Sequence, residues 1–376
     1  MDRIAGLRAP HVFAISVVLL TINISHAPMM FDEYAYVRAA REFLAGVPSS
    51  NPEHPPLAKC IIAASIKIFG DGQFGWRFPS ALAGGLVAAA VFGITRRLSG
   101  SVRTATVAWL LTVAGGFWFV MSRVAMLSIY QLGFELAAVW AFLVALETTS
   151  VWRFTLSGAL FGLSAACRWG GAVGLIACLI VAVVERARLR SIAALLGGML
   201  AAYAAAWIPL LRQEHRPFLD IIAANAFMLH FHRHMNADPR LGERWWSWFL
   251  RLEPQRSLSY LVGNPIVGWL GLLAVVVLLA RRFAGKEKSK SYILTLLYLG
   301  HVGQWAIGIR QLTFYYHYLE AFVALGPALA IAMQGLEWRR VRADVVVTTC
   351  ALMFFAYWYP TWASLPEPFN LVMGAH

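Results

Sequence analysis

Two neighbouring carboxylates, Asp32 and Glu33, open the stretch 31–57 (FDEYAYVRAAREFLAGVPSSNPEHPPL), and His54-Pro55-Pro56 closes it. Acids and a histidine this close in sequence are groups from which proton-transfer sites are built. The pair also has a plainer use, since carboxylates cap a helix and complement its positive end. Phe31, Tyr34, Val37, Ala40 and Phe43 or Leu44 fall at helical spacing. The spacing predicts a short amphipathic helix that Asp32 and Glu33 start and Gly46 stops. Hydrophobic segments flank it on both sides, which makes the stretch a candidate catalytic loop at a membrane surface.

The elements that must position this loop are membrane spans. Of 376 residues, 59% are hydrophobic and only 14% charged, and the mean hydropathy is +0.62, which excludes a soluble globular protein of this length. The run 11–27 has the apolar core of a signal peptide but no convincing small-residue cleavage site before the acidic loop, so it is expected to remain as the first span. A formal charge of +13 does not point to nucleic acid, because the Lys and Arg residues sit in short clusters between apolar runs, the pattern that sets topology. Cys60, Cys167, Cys178 and Cys350 lie scattered in apolar segments and are expected as free thiols.

With the basic clusters placed in the cytoplasm, the chain reads as a single all-α multi-pass domain over residues 1–376 with about eleven spans. These fall at about 11–27, 78–95, 104–120, 129–146, 154–167, 171–184, 192–211, 265–282, 292–309, 318–333 and 345–359. Residues 28–77 form the first extracytoplasmic loop, within which 56–69 is apolar, too short to cross, and expected to lie in the interface. Residues 212–264 form the longest outer loop, with Arg212, Arg216, Arg233, Arg240, Arg244, Arg251 and Arg256 and the histidines His215, His230, His232 and His234. Outward arginine beside lipid suits a phosphate-bearing partner, although anionic headgroups of membrane lipids attract it equally. No inverted repeat or shared midplane break is visible, which weakens a transporter reading.

One boundary collects the ionisable groups: Asp32-Glu33 with His54, then Arg123, Arg168, the basic loop, and Arg310 followed by Tyr315, Tyr316 and His317. Such groups are costly in apolar segments, and their gathering at one face is where a membrane enzyme meets a lipid-borne substrate.

The pieces FDE (31–33), HPPLAK (54–59), FGWRFPSALAG (74–84), SRVAML (122–127), GLSAACRWGG (162–171), WWSWFLRLEP with GNPIVGW (245–269) and RQLTFYYHY (310–318) occur in this order along nearly the whole chain. In them the chain resembles the protein O-mannosyltransferase family of C-type glycosyltransferases, in a compact bacterial-like form. The resemblance implies inverting transfer of mannose, or a related hexose, from a polyprenyl-phosphate donor to an acceptor hydroxyl at the outer membrane face. Asp32 matches the family's catalytic acid and is the implied general base, with Glu33 shaping the site and keeping Asp32 ionised or oriented. The leaving phosphate departs as an anion and needs positive charge rather than an acid. Arg123 and Arg310 are the first choices for its ligands, followed by Arg168, His54 and Lys59. Tyr315, Tyr316, His317, Trp245 and Trp246 are expected at the substrate cavity, although Trp245, Trp246 and Trp248 also read as an interfacial belt.

Two or three basic groups balance a monophosphate, so neither a metal nor another cofactor is expected. His230, His232 and His234 lack a nearby acidic ligand for a zinc site. Asn264-Pro265 is expected to start a helix, Gly158 and Gly162 to allow close helix packing, and Glu135 and His301 to pair with polar neighbours inside the spans.

The family commonly has an acid where this chain has Ser128 and a lysine where it has Arg168, and no segment of the long loop matches the soluble domain that eukaryotic members insert there. These departures leave the acceptor open: a Ser or Thr of a secreted or membrane protein, or a lipid or glycan hydroxyl. The setting implied is a bacterial cytoplasmic membrane with the site on its extracytoplasmic side. A reading from another class, a carrier or flippase of lipid-linked sugars, differs in tolerating loss of the Asp32 charge.

Overall fold

The computed structural model describes residues 6–27, 29–235, 242–255, 260–285, 289–307, 312–338 and 340–366. Nearly all of it is helix: α1 (Ala9–Thr21), α2 (Phe31–Ala45), α3 (Leu57–Phe69), α4 (Gln73–Ser99), α5 (Val102–Ala114), α6 (Phe117–Met121), α7 (Leu127–Thr148), α8 (Val151–Cys167), α9 (Ala172–Val184), α10 (Leu189–Gln213), α11 (Asp220–His234), α12 (Pro265–Phe283), α13 (Tyr292–Ala306), α14 (Leu319–Ala332) and α15 (Ala343–Trp362). A two-residue hairpin, β1 (Glu337–Trp338) with β2 (Val341–Arg342), precedes α15.

Each expected span overlaps a helix, the third, 104–120, being split between α5 and α6 at Gly115-Gly116, but only six helices are long and apolar enough to cross a membrane by length and composition among the described residues: Ala9–His26, Gln73–Ser99, Leu127–Thr148, Leu189–Gln213, Pro265–Phe283 and Ala343–Trp362. The reason is geometric. The 27 residues of α4 reach about 40 Å at 1.5 Å per residue, whereas the 13–17 residues of α5, α8, α9, α13 and α14 reach about 20–26 Å, short of a hydrocarbon core of about 30 Å.

Ion pairs show which helix ends lie together. Arg97 at the end of α4 pairs with Glu147 at the end of α7, Arg103 at the start of α5 pairs with Asp344 at the start of α15 at 2.8 Å, and Lys290 before α13 approaches Glu185 after α9 at 3.7 Å. At the opposite end, Arg168 after α8 meets Glu320 at the start of α14, and Asn23 after α1 donates to the carbonyls of Ala363 and Ser364 after α15. Successive helices thus alternate between a basic end and the end that carries Asp32.

Local chemistry sets several boundaries as expected. Gly46 stops α2 at φ 72°, a left-handed conformation that glycine adopts without strain. The Asn264 side chain accepts from Ile266 N at 3.0 Å, with Pro265 in the first turn of α12. The α3 helix buries Ala58, Ile62, Ala63 and Ile66 and leaves Ile68 and Phe69 exposed, as an interfacial helix does. Residues 212–264, expected as an irregular loop, contain helix α11 and a 3-10 helix, Trp245–Leu250.

The rotation of α2 differs from the expectation. Tyr34 and Leu44 are exposed, and the buried stripe is Glu33, Tyr36, Val37 and Ala40. That stripe is also helical in spacing, but its first member is charged.

Gly158 and Gly162 let α8 lie backbone to backbone on α10. A Cβ at Gly158 would come within 1.9 Å of Leu195 O, one at Gly162 within 2.3 Å of Met199 O, and one at Gly198 within 2.3 Å of Thr155 O. Gly158→Leu is therefore expected to destabilise the fold by about 1–3 kcal/mol or more. Thermal unfolding of the detergent-solubilised protein measures it, and an unchanged midpoint would contradict this packing.

Candidate active site

The site is built outward from Glu33, which is fully buried. Its carboxylate accepts four hydrogen bonds: from Arg77 Nε at 2.7 Å and Nη2 at 2.8 Å, from Ala125 N at 2.9 Å and from Met30 N at 3.1 Å. Arg77, also fully buried, spends its other terminal nitrogen on Ile24 O at 3.0 Å, Ala27 O at 2.7 Å and Gln73 Oε1 at 3.1 Å. One ion pair thereby ties the start of α2, the exit from α1, the first turn of α4 and the segment before α7.

Asp32 precedes Glu33 by one helical residue, so it points about 100° away around the axis. Half-buried, its Oδ2 accepts a hydrogen bond from the Tyr316 phenol. Tyr316 belongs to a 3-10 turn, Tyr315–Tyr318, that leads into α14. Within it Tyr316 stacks on Phe314, and His317 stacks on Trp305 with ring centroids 4.4 Å apart and planes 13° from parallel. The Arg168 guanidinium lies 5.4 Å from the Trp305 ring.

Arg168 and Trp305, with His54, Trp169, Gly170, His232 and Gln304, line an open cavity of about 220 Å³. Arg168 Nη1 donates to Glu320 Oε1 at 2.6 Å and to Ser128 Oγ at 3.2 Å. The two departures from the resembled pattern, Ser128 and Arg168, therefore touch. His54 packs edge-on against Tyr36 at 5.8 Å and lies 5.2 Å from the His232 ring.

Lys59 does not line the cavity. Its ammonium donates to Asn51 O at 2.5 Å and His54 O at 2.9 Å, fixing the turn that presents His54. Burial pushes its pKa down to about 8.

Other expected residues stand elsewhere. Arg123 is buried and donates to Leu20 O at 2.7 Å and Ile22 O at 2.5 Å, with Phe119 5.0 Å below, so it joins the exit from α1 to the α6–α7 connection and does not face the cavity. Tyr315 is buried, and its hydroxyl accepts from Gly263 N at 3.0 Å. Trp246 is exposed beneath Arg244, Trp245 packs on Phe249, and neither borders the cavity. It is Trp248 that packs inward against Trp305 and Tyr318. Arg310 lies outside the described residues.

The histidines of α11 divide between two faces. His230 and His234 stack on each other at 4.3 Å, and His232 turns to His54, so the three do not converge. Glu135 and His301 do pair, at 2.8 Å, with Gln131 on the carboxylate at 2.9 Å and Gln304 at 3.2 Å from His301 Nδ1.

Sequence reasoning missed Arg77, Trp169, His232 as a cavity residue, Gln304, Trp305 and Glu320. Glu320 carried a usable signal, an acid at the head of an apolar span. Trp305 and Gln304 carried none beyond a place near a span end.

Residues 53–209 match the family model described as dolichyl-phosphate-mannose-protein mannosyltransferase. The polyprenol-phosphate-mannose–protein mannosyltransferase of Mycobacterium tuberculosis is 26% identical over 90% of this chain and 83% of its own length. Its Corynebacterium glutamicum counterpart is 33% identical over 38% of this chain and 34% of its own length. Among solved structures, the Saccharomyces cerevisiae protein O-mannosyltransferase Pmt1-Pmt2 complex bound to the sugar donor superimposes with a TM-score of 0.80 at 12% identity, covering 97% of this chain and 92% of that one. ArnT from Cupriavidus metallidurans bound to undecaprenyl phosphate gives 0.63 at 18% identity, covering 96% and 66%. At these identities the two structures establish the fold.

Glu33→Gln or Arg77→Met is expected to cost about 3–5 kcal/mol of stability, since each leaves its partner buried and uncompensated. Replacing both by methionine is not expected to restore it, because Met30 N, Ala125 N, Ile24 O and Ala27 O lose their partners. Denaturation midpoints of the three variants decide; recovery in the double variant would show the pair to be dispensable.

Proposed function

We infer that this chain is a member of the protein O-mannosyltransferase family and transfers mannose from a polyprenyl-phosphate carrier to a hydroxyl of a protein acceptor. The observation that carries the mechanism is the Asp32 carboxylate, held by the Tyr316 phenol and joined through His317 and Trp305 to a cavity whose lining cation is Arg168.

The acceptor hydroxyl loses its proton to Asp32 as its oxygen attacks the anomeric carbon. The bond from that carbon to the phosphate oxygen breaks on the opposite face, its electron pair leaves with the polyprenyl phosphate, and the configuration inverts. Asp32 serves as general base. Tyr316 fixes the carboxylate so that one oxygen stays available. Arg168, oriented by Glu320, Ser128 and Trp305, stabilises charge developing on the leaving phosphate. His54, set by Lys59, His232 and Gln304 complete the polar lining. Arg310 is proposed as a second phosphate ligand on sequence grounds.

The proposed topology crosses about eleven times, with the short helices tilting little or drawing the bilayer thinner around them. The end bearing Arg96, Arg97, Arg103, Arg186, Arg188, Arg281 and Arg282 then lies in the cytoplasm of a bacterial cell, and Asp32 lies on the extracytoplasmic side.

The test is purified protein with labelled polyprenyl-phosphate-mannose and Ser/Thr-containing peptides, read by mass spectrometry of the product. Asp32→Asn is expected to lower kcat by about 10²–10⁴ with donor binding retained. Tyr316→Phe is expected to lower kcat by about tenfold, a loss of roughly one hydrogen bond, with donor KM little changed. Mannose appearing on lipid or glycan in place of peptide would move the acceptor, and undiminished turnover in Asp32→Asn would end the mechanism.

A further inference from the structure

The cation in the cavity lining is not a surplus charge. Arg168 already carries a buried counter-anion, Glu320, whose Oε1 is 2.6 Å from Nη1 and whose side chain is fully buried while that of Arg168 is 11% exposed. The second oxygen of Glu320 is buried and has no hydrogen-bond partner among the described residues. Glu320 and His301 both border a void of about 10 Å³, and His301 in turn pairs with Glu135 at 2.8 Å. Two carboxylates, one guanidinium and one imidazole thus sit together beneath the cavity, and their charges sum to zero or to minus one according to the imidazole's proton. An incoming phosphate reaches the other N–H groups of the same guanidinium and competes with Glu320 for its charge.

That competition matters differently for substrate and product. The sugar donor is a phosphodiester with one negative charge, whereas the spent carrier is a monoester that approaches two at neutral pH. An uncompensated guanidinium, itself only 11% exposed, would hold the product more tightly than the donor and stall turnover. We propose that Glu320 is a positioning residue that governs release of the spent carrier: it holds Arg168 against the cavity wall and, as resident counter-anion, limits the grip of the guanidinium on the departing phosphate. This rests on the reading of the cavity as the donor phosphate site.

The test uses the full chain in lipid nanodiscs, labelled polyprenyl-phosphate-mannose as donor and undecaprenyl phosphate as added product. Glu320→Gln keeps an oxygen facing Arg168 and removes only the charge. Product inhibition is expected to tighten about tenfold, with kcat reduced and donor KM unchanged or lower. Ser128→Asp adds a second carboxylate beside the same Nη1 and is expected to weaken product inhibition. A Glu320 that merely holds structure predicts the reverse for Glu320→Gln, a raised donor KM and weaker inhibition. That result, or inhibition constants unmoved in both variants, overturns the proposal. Should Glu320→Gln fail to fold, the direction of Ser128→Asp decides alone: weaker inhibition supports the role, and unchanged or tighter inhibition overturns it. Arg168→Met separates the two levels of inference. If it leaves donor and product binding untouched, the phosphate-site reading falls with the proposal; if it weakens both while the other variants show no shift, only the role of Glu320 falls.

Discussion

Everything at the site end of this protein depends on where one charge is buried. Glu33 and Arg77 have no solvent, so their attraction is offset by a large desolvation cost unless every lone pair and proton finds a partner. They satisfy that condition with main-chain groups from three segments: Ile24 and Ala27 after α1, Met30 before α2 and Ala125 before α7. A buried pair of this kind is weak evidence of net stabilisation. Its stronger consequence is register: α2 can seat its carboxylate in one rotation only. Burying Glu33 turns Asp32 toward Tyr316, so the orientation of the Asp32 carboxylate is inherited from its neighbour's burial.

The remainder of the site is made rigid by rings. Phe314, Tyr316 and His317 in one short stretch, Trp305 at the end of α13 and Trp248 from the 3-10 helix Trp245–Leu250 stack or meet edge to face. Aromatic side chains have few torsions, and stacking removes the freedom left in them. The carboxylate on one side and the guanidinium on the other are therefore set at a separation that does not depend on a flexible loop. Preorganisation of this sort is what lets fixed charges act on a developing transition state without first reorganising.

Residue types told more than residue positions did. Asp32-Glu33, His54, Arg168 and Tyr316 were recognisable as a polar boundary, and the helices were recognisable from hydrophobic runs. The rotation of α2 was not, because hydrophobic spacing selects the Tyr34 face, whereas the buried pole of the helix is the ionised Glu33, which periodicity counts against burial. Arg77 and Arg123 look alike in sequence to Arg168, each an arginine at the outer end of an apolar run. Only the carbonyls left exposed by the end of α1 divert the first two into the scaffold. The cavity itself is shaped by Trp305, Gln304 and His232, which come from elements remote from the acidic loop in sequence, and single-chain spacing holds no record of that proximity.

Ser128 and Arg168 make the same point about reading departures singly. Each alone looks like a lost function: an acid replaced by a hydroxyl, a lysine replaced by an arginine. In the fold they share one hydrogen bond, and Glu320 from α14 supplies an anion to the same guanidinium. Arginine suits this arrangement because its planar fork can address a carboxylate through one nitrogen while presenting other N–H groups elsewhere, which an ammonium on a flexible stem does less well. The guanidinium at position 168 thus finds its anion on a different helix, and its placement has meaning only with positions 128 and 320 beside it.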